Sequence, residues 1–258
     1  INFRLTDQAL AADVQARATS PRLGLELVAD RTLVIDYSSP NIAKRMHVGH
    51  LRSTVIGDAL ARIHRWLGWT VVADNHVGDW GTQFGMLIVG WHRWRDDAAY
   101  TADPIAELQR LYQRFRTEAE ADPALHDLAR EETAKLQAGD AENRALWQQF
   151  IDASMVEFQA VYDRLGVRFD VTLGESFYNP VLGDLVEGLL ERGIAKVDQG
   201  AVIIEFDPSD GKGLGKSPLL IRKSDGAALY GTTDLATVQH RMATWDPDLI
   251  LYETDVRQ

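Results

Sequence analysis

"SPNIAKRMHVGHLRST", Ser39 to Thr54, sets two histidines, His47 and His50, around Gly49 at a junction between two kinds of sequence. Upstream, Leu33, Val34 and Ile35 in "RTLVIDYSS" suit a short buried strand that ends near Tyr37. Pro40 then keeps Ser39 out of helical geometry. Downstream, apolar residues fall at Val48, Leu51, Val55, Ala59, Ile63 and Trp66, steps of three and four that make one apolar helical face. Gly68 ends that helix, "WTVVAD" reads as a second strand, and Gly78 and Gly81 mark a loop. Strand, long helix, strand is a βαβ unit, so the stretch predicts an α/β fold on a parallel sheet.

The 258 residues are 45% hydrophobic, enough for a sizeable core in one large domain or two smaller ones. No apolar run approaches about 18 residues, so no membrane span is expected. The opening "INFRLTDQAL" lacks a basic stretch leading into an apolar one, so no signal peptide is read there. Cysteine is absent, which excludes disulfides, thiolate metal sites and a cysteine nucleophile and fits a cytoplasmic location. The formal charge of −11 argues against a nucleic-acid surface and for a cationic small ligand.

Four segments are expected. Residues 1–30 read as a linker of one helix and a loop, punctuated by Pro21 and Gly24. Residues 31–94 hold the first half of the α/β domain. Residues 95–195 are charged and rich in Ala, Leu, Gln and Glu; "PIAELQRLYQRFRTEAE" and "NRALWQQFIDASMVEFQAVYDRLG" predict successive helices with no strand between, a helical insertion. Residues 196–258 return to the parallel α/β domain through short strands at "AVIIEF", "PLLIRK" and "AALYG", a helix over Asp234–Thr244 and a buried strand at "DLILYE".

Three chemistries suit the histidines. Three residues apart, they share one face of a first helical turn, as metal ligands could. The absence of H-E-x-x-H, of cysteine and of a carboxylate in that turn argues against metal. They could also be satisfied by local hydrogen bonds. The phosphate reading has the most physical support: a glycine at a strand-to-helix junction allows close approach of backbone to ligand, and the helix start offers free N–H groups and a positive dipole end. Imidazole N–H groups there strengthen as charge develops on a transferring phosphorus, and Lys44 and Arg52 add positive potential. The junction follows the first strand, where α/β proteins bind nucleotides.

"HVGH" also resembles the HIGH motif of class I aminoacyl-tRNA synthetases. The motif alone is short, but "DYSSPNIAKRMHVGHLRSTVIGDALAR" (Asp36–Arg62) is similar to arginyl-tRNA synthetases almost residue for residue. So are "NHVGDWGTQFGML" (Asn75–Leu87), "LGVRFDVTLGESFY" (Leu165–Tyr178), "IRKSDGAALYGTTDLA" (Ile221–Ala236) and the closing "DVRQ", in the family's order and over nearly the whole chain. The resemblance implies a Rossmann-like parallel-sheet nucleotide-binding domain interrupted by a mainly helical connective insertion. It implies ATP-dependent activation of L-arginine to arginyl-adenylate and transfer to tRNA(Arg). Mg2+ is expected with ATP, with no protein-bound metal, in a cytoplasmic monomer.

By the same resemblance, His47 and His50 meet the ATP phosphates and the adenylate transition state, Gly49 leaves room for the nucleotide, and Ser38 is a phosphate or ammonium contact. The arginine-recognising positions match as Asp36, Asn41, Tyr230, Asp234 and Gln258. Guanidinium has five donors and no acceptor, so its pocket needs carboxylates and carbonyls. Tyr230 and Asp234, four apart, are expected at the guanidinium end; Asp36, Asn41 and Gln258 at the α-amino and carboxylate end. Asp234 could instead be a plain helix-start acid. His76, Gly78, Asp79, Trp80 and Gln83 are expected to line the catalytic cleft without assigned roles, and Trp80 could equally be packing.

"GKGLGKS" (211–217) is no P-loop, because Asp210 stands where the motif needs glycine; a turn between strands is expected. "WHRWRDD" reads as the exposed end of an amphipathic helix. The family's lysine-containing KMSKS loop has no counterpart here, so the sequence reads as a catalytic core or a truncated paralogue, and the chain alone is expected not to be fully active. Two alternatives stay open: a synthetase-like module that binds arginine or ATP or acts as a scaffold, and a nucleotidyltransferase acting on a small molecule.

Overall fold

The computed structural model describes residues 4–28, 30–207, 209, 217–224 and 226–254. In chain order its helices are α1 (Asp7–Thr19), α2 (Val48–Trp66), α3 (Thr82–Trp94), α4 (Asp97–Ala102), α5 (Pro104–Ala121), α6 (Ala124–Ala138), α7 (Ala141–Leu165), α8 (Glu175–Tyr178), α9 (Leu182–Glu191) and α10 (Tyr230–Trp245). Its strands are β1 (Thr32–Asp36), β2 (Thr70–Asp74), β3 (Lys196–Asp198), β4 (Ala201–Ile204), β5 (Leu219–Arg222) and β6 (Leu249–Tyr252).

The expected α/β core is present. β1 lies between β2 and β6, parallel to both, which is why its run Leu33–Ile35 is apolar at every position and wholly buried. Register pairs Asp36 with both Asp74 and Tyr252, so the three strands end level at one carboxyl edge. That edge is where an open α/β sheet binds its ligands. β6 differs from its expected burial. Among the described residues it is an outer strand of this sheet, with Leu249 and Tyr252 exposed.

The helix after β1 forms where its periodicity placed it, but it turns the other way. α2 buries Thr54, Gly57, Asp58 and Ala61, while Val48, Val55, Ile63 and Trp66 of the apolar stripe are exposed. The cause is close docking: the Tyr37 ring fills the place where a side chain at Gly57 would begin. Small residues are buried because only they fit there, and the Arg22 guanidinium lies over Trp66, 4.8 Å from the ring centre.

Between 97 and 191 the described chain carries helices α4 to α9, interrupted at 166–174 by a non-helical stretch in which Val171 bridges to Asp74 of β2. Helices α5, α6 and α7 pack on α3 around Leu87, Ile88, Leu108, Leu111 and Phe150. The α3–α6 contact is so close that a methyl group at Gly85 would collide with the Ala129 carbonyl and Thr133 Oγ1. Gly85→Ala is therefore expected to lower stability by about 1–3 kcal/mol, the cost of overpacking. Urea unfolding reads it directly, and an unchanged midpoint would mean that the two helices do not touch there.

The strands at 196–222 do not join the parallel sheet. They form a separate antiparallel sheet, β3-β4-β5, packed on α9 and α10 through Leu185, Leu189, Val202, Ile221 and Ala236. The reason lies in the connection. Gln199 (φ 48°) and Gly200 (φ 83°) alone join β3 to β4, a two-residue hairpin turn with both residues left-handed. Parallel strands need a crossover of a dozen or more residues. "AALYG" is not a strand either: Ala228 makes one bridge to Arg222, and Tyr230 already starts α10. Residues 211–216 of "GKGLGKS" and the closing 255–258 lie outside the described residues.

Candidate active site

The first strand leaves the sheet at Asp36, and the next residues take unusual backbone. Ser38 (φ 73°), Ser39 (φ 44°) and Ala43 (φ 61°) are all left-handed, a conformation that side chains disfavour and that surrounding bonds must hold. Ser39 N–H donates to Asn75 Oδ1 (3.1 Å) and its hydroxyl to Asp36 Oδ1 (2.8 Å). Ala43 N–H donates to Ser154 Oγ (2.9 Å) on α7. Ser38 is buried, its hydroxyl 2.8 Å from Tyr162 Oη and accepting from Thr54 Oγ1 at 2.8 Å. Ser38 thus braces the loop from behind and is not displayed to a phosphate.

The loop ends at His47, the cap of α2. Gly49 N–H donates to His47 Nδ1 (3.1 Å), and His47 N–H donates to His50 Nδ1 (3.2 Å), a reciprocal box made by two imidazoles. The rings stack with centroids 3.9 Å apart. A side chain at Gly49 would start 2.9 Å from the His47 ring, so in this structure the room at Gly49 is taken by imidazole. A nitrogen that accepts cannot carry the proton, so each neutral ring holds its proton on Nε2. Among the described residues neither Nε2 has a hydrogen-bond partner. Burial, then His47 and Lys44, depress the pKa of His50, which favours that neutral donor form. Nδ1 of each ring therefore serves the local hydrogen bonding at the helix start, which leaves Nε2–H available to donate.

The loop after β2 carries the other expected cluster. Gly78 N–H donates to the Pro40 carbonyl and Gly78 O accepts from Ile42 N–H (both 3.1 Å) and from Gln83 Nε2 (3.1 Å). Any side chain at Gly78 would meet Asn41 Oδ1. Asn41, Lys44, Trp80, Gln83, Tyr112 and Tyr230 thereby line one small cavity of about 210 Å³. His76 Nδ1 donates to the Leu173 carbonyl (2.9 Å). Asp79 is buried and accepts from Ser176 N–H (2.8 Å) and Oγ (2.6 Å), which fixes the start of α8; burial still raises its pKa. Trp80 stacks edge-on with Trp147, and its buried Nε1 has no partner among the described residues.

Two further acids, Asp234 and Glu175, lie within electrostatic reach of each other and of this cluster. Asp234 on the first turns of α10 is accessible at its surface, yet loss of solvent around its carboxyl pushes its pKa up, opposed by His76 and Arg241 and aided by Asp36. Glu175 on α8 is half-buried, and burial, then Asp79 and Asp234, raise its pKa to about 7. Tyr230 projects largely into solvent at the mouth of the cavity. Asp36 is buried, and its Oδ2 accepts from Arg241 Nη2 at 2.6 Å. Gln258 lies outside the described residues.

Glu175, Asp74 and Arg241 were missed by sequence reasoning. Glu175 sits in a quoted family-like stretch but reads as a first-turn acid. Arg241 follows Asp234 by seven residues, two helical turns on one face, which was the available signal.

A parallel sheet whose first strand leads into a histidine-flanked glycine opening a helix is the arrangement of class I aminoacyl-tRNA synthetases. The family model described as tRNA synthetases class I (R), catalytic domain, matches residues 13–258, and the chain belongs to that family, the arginyl-tRNA synthetases. It is 52% identical over 226 residues to the arginine–tRNA ligase of Fusobacterium nucleatum, covering 88% of this chain and 39% of that protein. It is 45% identical over 269 residues to that of Frankia casuarinae, covering all of this chain and 45% of that protein. The chain thus spans less than half the length of these relatives. The crystal structure of arginyl-tRNA synthetase from Plasmodium falciparum superposes with a TM-score of 0.73 at 33% identity, over 88% of this chain and 38% of that one. The Thermus thermophilus arginyl-tRNA synthetase, at 24% identity and TM-score 0.67 over 93% of this chain and 40% of that one, shares the fold.

Proposed function

We propose that this chain supplies the catalytic core for ATP-dependent activation of L-arginine and its transfer to tRNA(Arg), in the cytoplasm and as a monomer. The observation that carries this reading is the pair of free Nε2–H donors on a helix start at the sheet's carboxyl edge, with acids Asp36, Asp79, Glu175 and Asp234 gathered on the neighbouring loops and helices. Donors suit a phosphate whose charge grows, and acids suit a cationic amino acid.

In the first step an arginine carboxylate oxygen attacks the α-phosphorus of ATP; the new P–O bond forms as the bond to pyrophosphate breaks. In the second, the terminal ribose hydroxyl of the tRNA attacks the aminoacyl carbonyl, AMP leaves with the bonding pair, and the hydroxyl proton passes to a phosphate oxygen of the departing AMP. His47 and His50 donate to phosphate oxygens in the first step and move no proton. Mg2+ would arrive on the phosphates of ATP. Asn41 remains assigned to the α-amino end and Tyr230 and Asp234 to the guanidinium end, where Glu175 joins them. Contact with tRNA would lie mostly on parts that the longer relatives have beyond this stretch. The compartment and the single-subunit state rest on the sequence reading alone.

Glu175 provides the test. An acid whose folded pKa is near 7, against an ordinary 4.5, holds its proton more tightly in the folded state. Its contribution to stability therefore falls as pH rises from about 4.5 to 7. A guanidinium bound beside it reverses the preference, because the cation favours the ionised acid. Calorimetric titration is expected to show arginine affinity rising from pH 5.5 to 8 with proton release near neutrality, and Glu175→Gln is expected to flatten that rise. Absence of arginine binding at any pH would refute the proposed function; binding with the same pH dependence in the variant would remove Glu175 from the pocket.

A further inference from the structure

Asp36 and Asp74 end adjacent parallel strands in the same register, both buried, which sets two carboxylates side by side. Two such charges cannot both persist in a dry site without a cation between them. The cation is Arg241, itself fully buried two turns along α10 from Asp234. Its Nη2 donates to Asp36 Oδ2 (2.6 Å) and Asp74 Oδ2 (2.7 Å), and its Nε approaches Asp74 Oδ2 at 3.3 Å. Its guanidinium carbon lies 5.1 Å from the centre of the Tyr252 ring, at the end of the third strand. One side chain therefore touches the last residue of all three parallel strands and belongs to the helix that carries Tyr230 and Asp234.

We infer that Arg241 is a positioning residue for the amino-acid pocket: by bridging Asp36 and Asp74 it balances one of the two carboxylates, holds Asp36 in place for a ligand ammonium and seats α10 on the strand ends. The inference rests on the proposed arginine-binding function for its affinity readout. Asp36, Asp74 and Arg241 together have one net negative charge, which a single ammonium balances. The other charged or titratable groups facing this cluster are His76 after β2, Asp234 on α10, Tyr178 on α8 and Tyr252 on β6. Burial, aided by Asp36, raises the pKa of Asp74, and Arg241 and His76 oppose that rise. Burial also works against the charge of Arg241, but Asp36 and Asp74 more than offset it, and its pKa is raised.

The test is a charge cycle. Arg241→Met leaves two carboxylates sharing one proton, and arginine affinity at pH 7 is expected to fall about tenfold or more, with ATP affinity within about threefold of the parent, since one pKa unit is a factor of ten. Asp74→Asn turns Arg241 wholly onto Asp36, and arginine affinity is again expected to fall. The double variant restores one net negative charge, and affinity is expected to return to within about threefold of the parent, a coupling of opposite sign to both single changes. A plain packing strut would make the double variant no better than Arg241→Met, and that result would overturn the inference. If Arg241→Met does not fold, Asp74→Asn decides: parent-like arginine affinity in it would equally overturn the inference. Carboxyl carbon NMR of aspartate-labelled protein needs no ligand. It is expected to show a carboxyl of the Asp36–Asp74 pair titrating at higher pH in Arg241→Met than in the parent, and no difference would overturn the inference. Should the parent fail to bind arginine, the functional proposal falls, and this NMR result alone decides the role of Arg241.

Discussion

His47→Asn is expected to leave the protein as stable as the parent while slowing adenylate formation by about 10²–10³, the scale for losing one transition-state donor. The substitution separates the two uses of the ring. Asparagine is among the best helix caps, so its side-chain oxygen can replace Nδ1 in accepting the Gly49 N–H. It cannot reach as far as Nε2. His47→Ala removes both functions and should add a loss of about 0.5–2 kcal/mol in stability, the usual cost of a missing cap. His50→Ala should match it in both, because it removes a second Nε2–H donor and its Nδ1 accepts the His47 N–H in the same box. ATP–pyrophosphate exchange with arginine and tRNA(Arg) present, each variant against the parent in the same background, reads the rate; urea unfolding reads the cap. Full exchange in His47→Asn would reduce the pair to a helix cap. Arginine affinity should move little in either variant, since the proposed contacts are with phosphate.

The β1–α2–β2 unit was legible because an unbroken apolar run, a proline, a glycine and a 3.6-residue period all agreed. The side that α2 buries was not legible. Periodicity weighs apolar bulk, whereas docking against Tyr37 selects for the missing side chain of Gly57 and the small one of Ala61. The strands at 201–204 and 219–222 could be located from β-branched and aliphatic residues, whereas the three-residue β3 could not, and a four-residue strand does not say which sheet it joins. The clue was the two-residue spacing around Gln199 and Gly200, which only an antiparallel hairpin can use. In the site, HVGH advertised itself through glycine and helix start. Arg241 did not, because a lone arginine in "TTDLATVQHRMATW" reads as a solvated helix face until the two aspartates ending β1 and β2 are known to be neighbours. Asp36 was found through resemblance and Asp74 was passed over, although in three dimensions they form one paired charge cluster with Arg241.

Asp234→Asn should weaken arginine binding by at least about tenfold while leaving ATP binding nearly unchanged. The substitution keeps the size and one acceptor oxygen but removes a charge. Loss of a charged, hydrogen-bonded partner from a desolvated site costs about 2–5 kcal/mol, and the accessibility of Asp234 places it at the lower end. Citrulline, neutral at that end, should lose much less than arginine does. Lysine should bind poorly to both proteins, because a point charge cannot engage a fork of acceptors as guanidinium does. A second signature separates a pocket acid from a plain helix-start residue. Asp234 is one of the charges that hold the pKa of Glu175 up to about 7. Removing it lets Glu175 ionise at lower pH, so the midpoint of the pH-dependent rise in arginine affinity should move down. Calorimetry of arginine, citrulline and lysine across pH 5.5–8 against both proteins measures affinity and midpoint together. If arginine binds the Asn variant as well as the parent, with an unmoved midpoint, Asp234 serves only the start of α10, and the assignment of the guanidinium end to this helix fails with it.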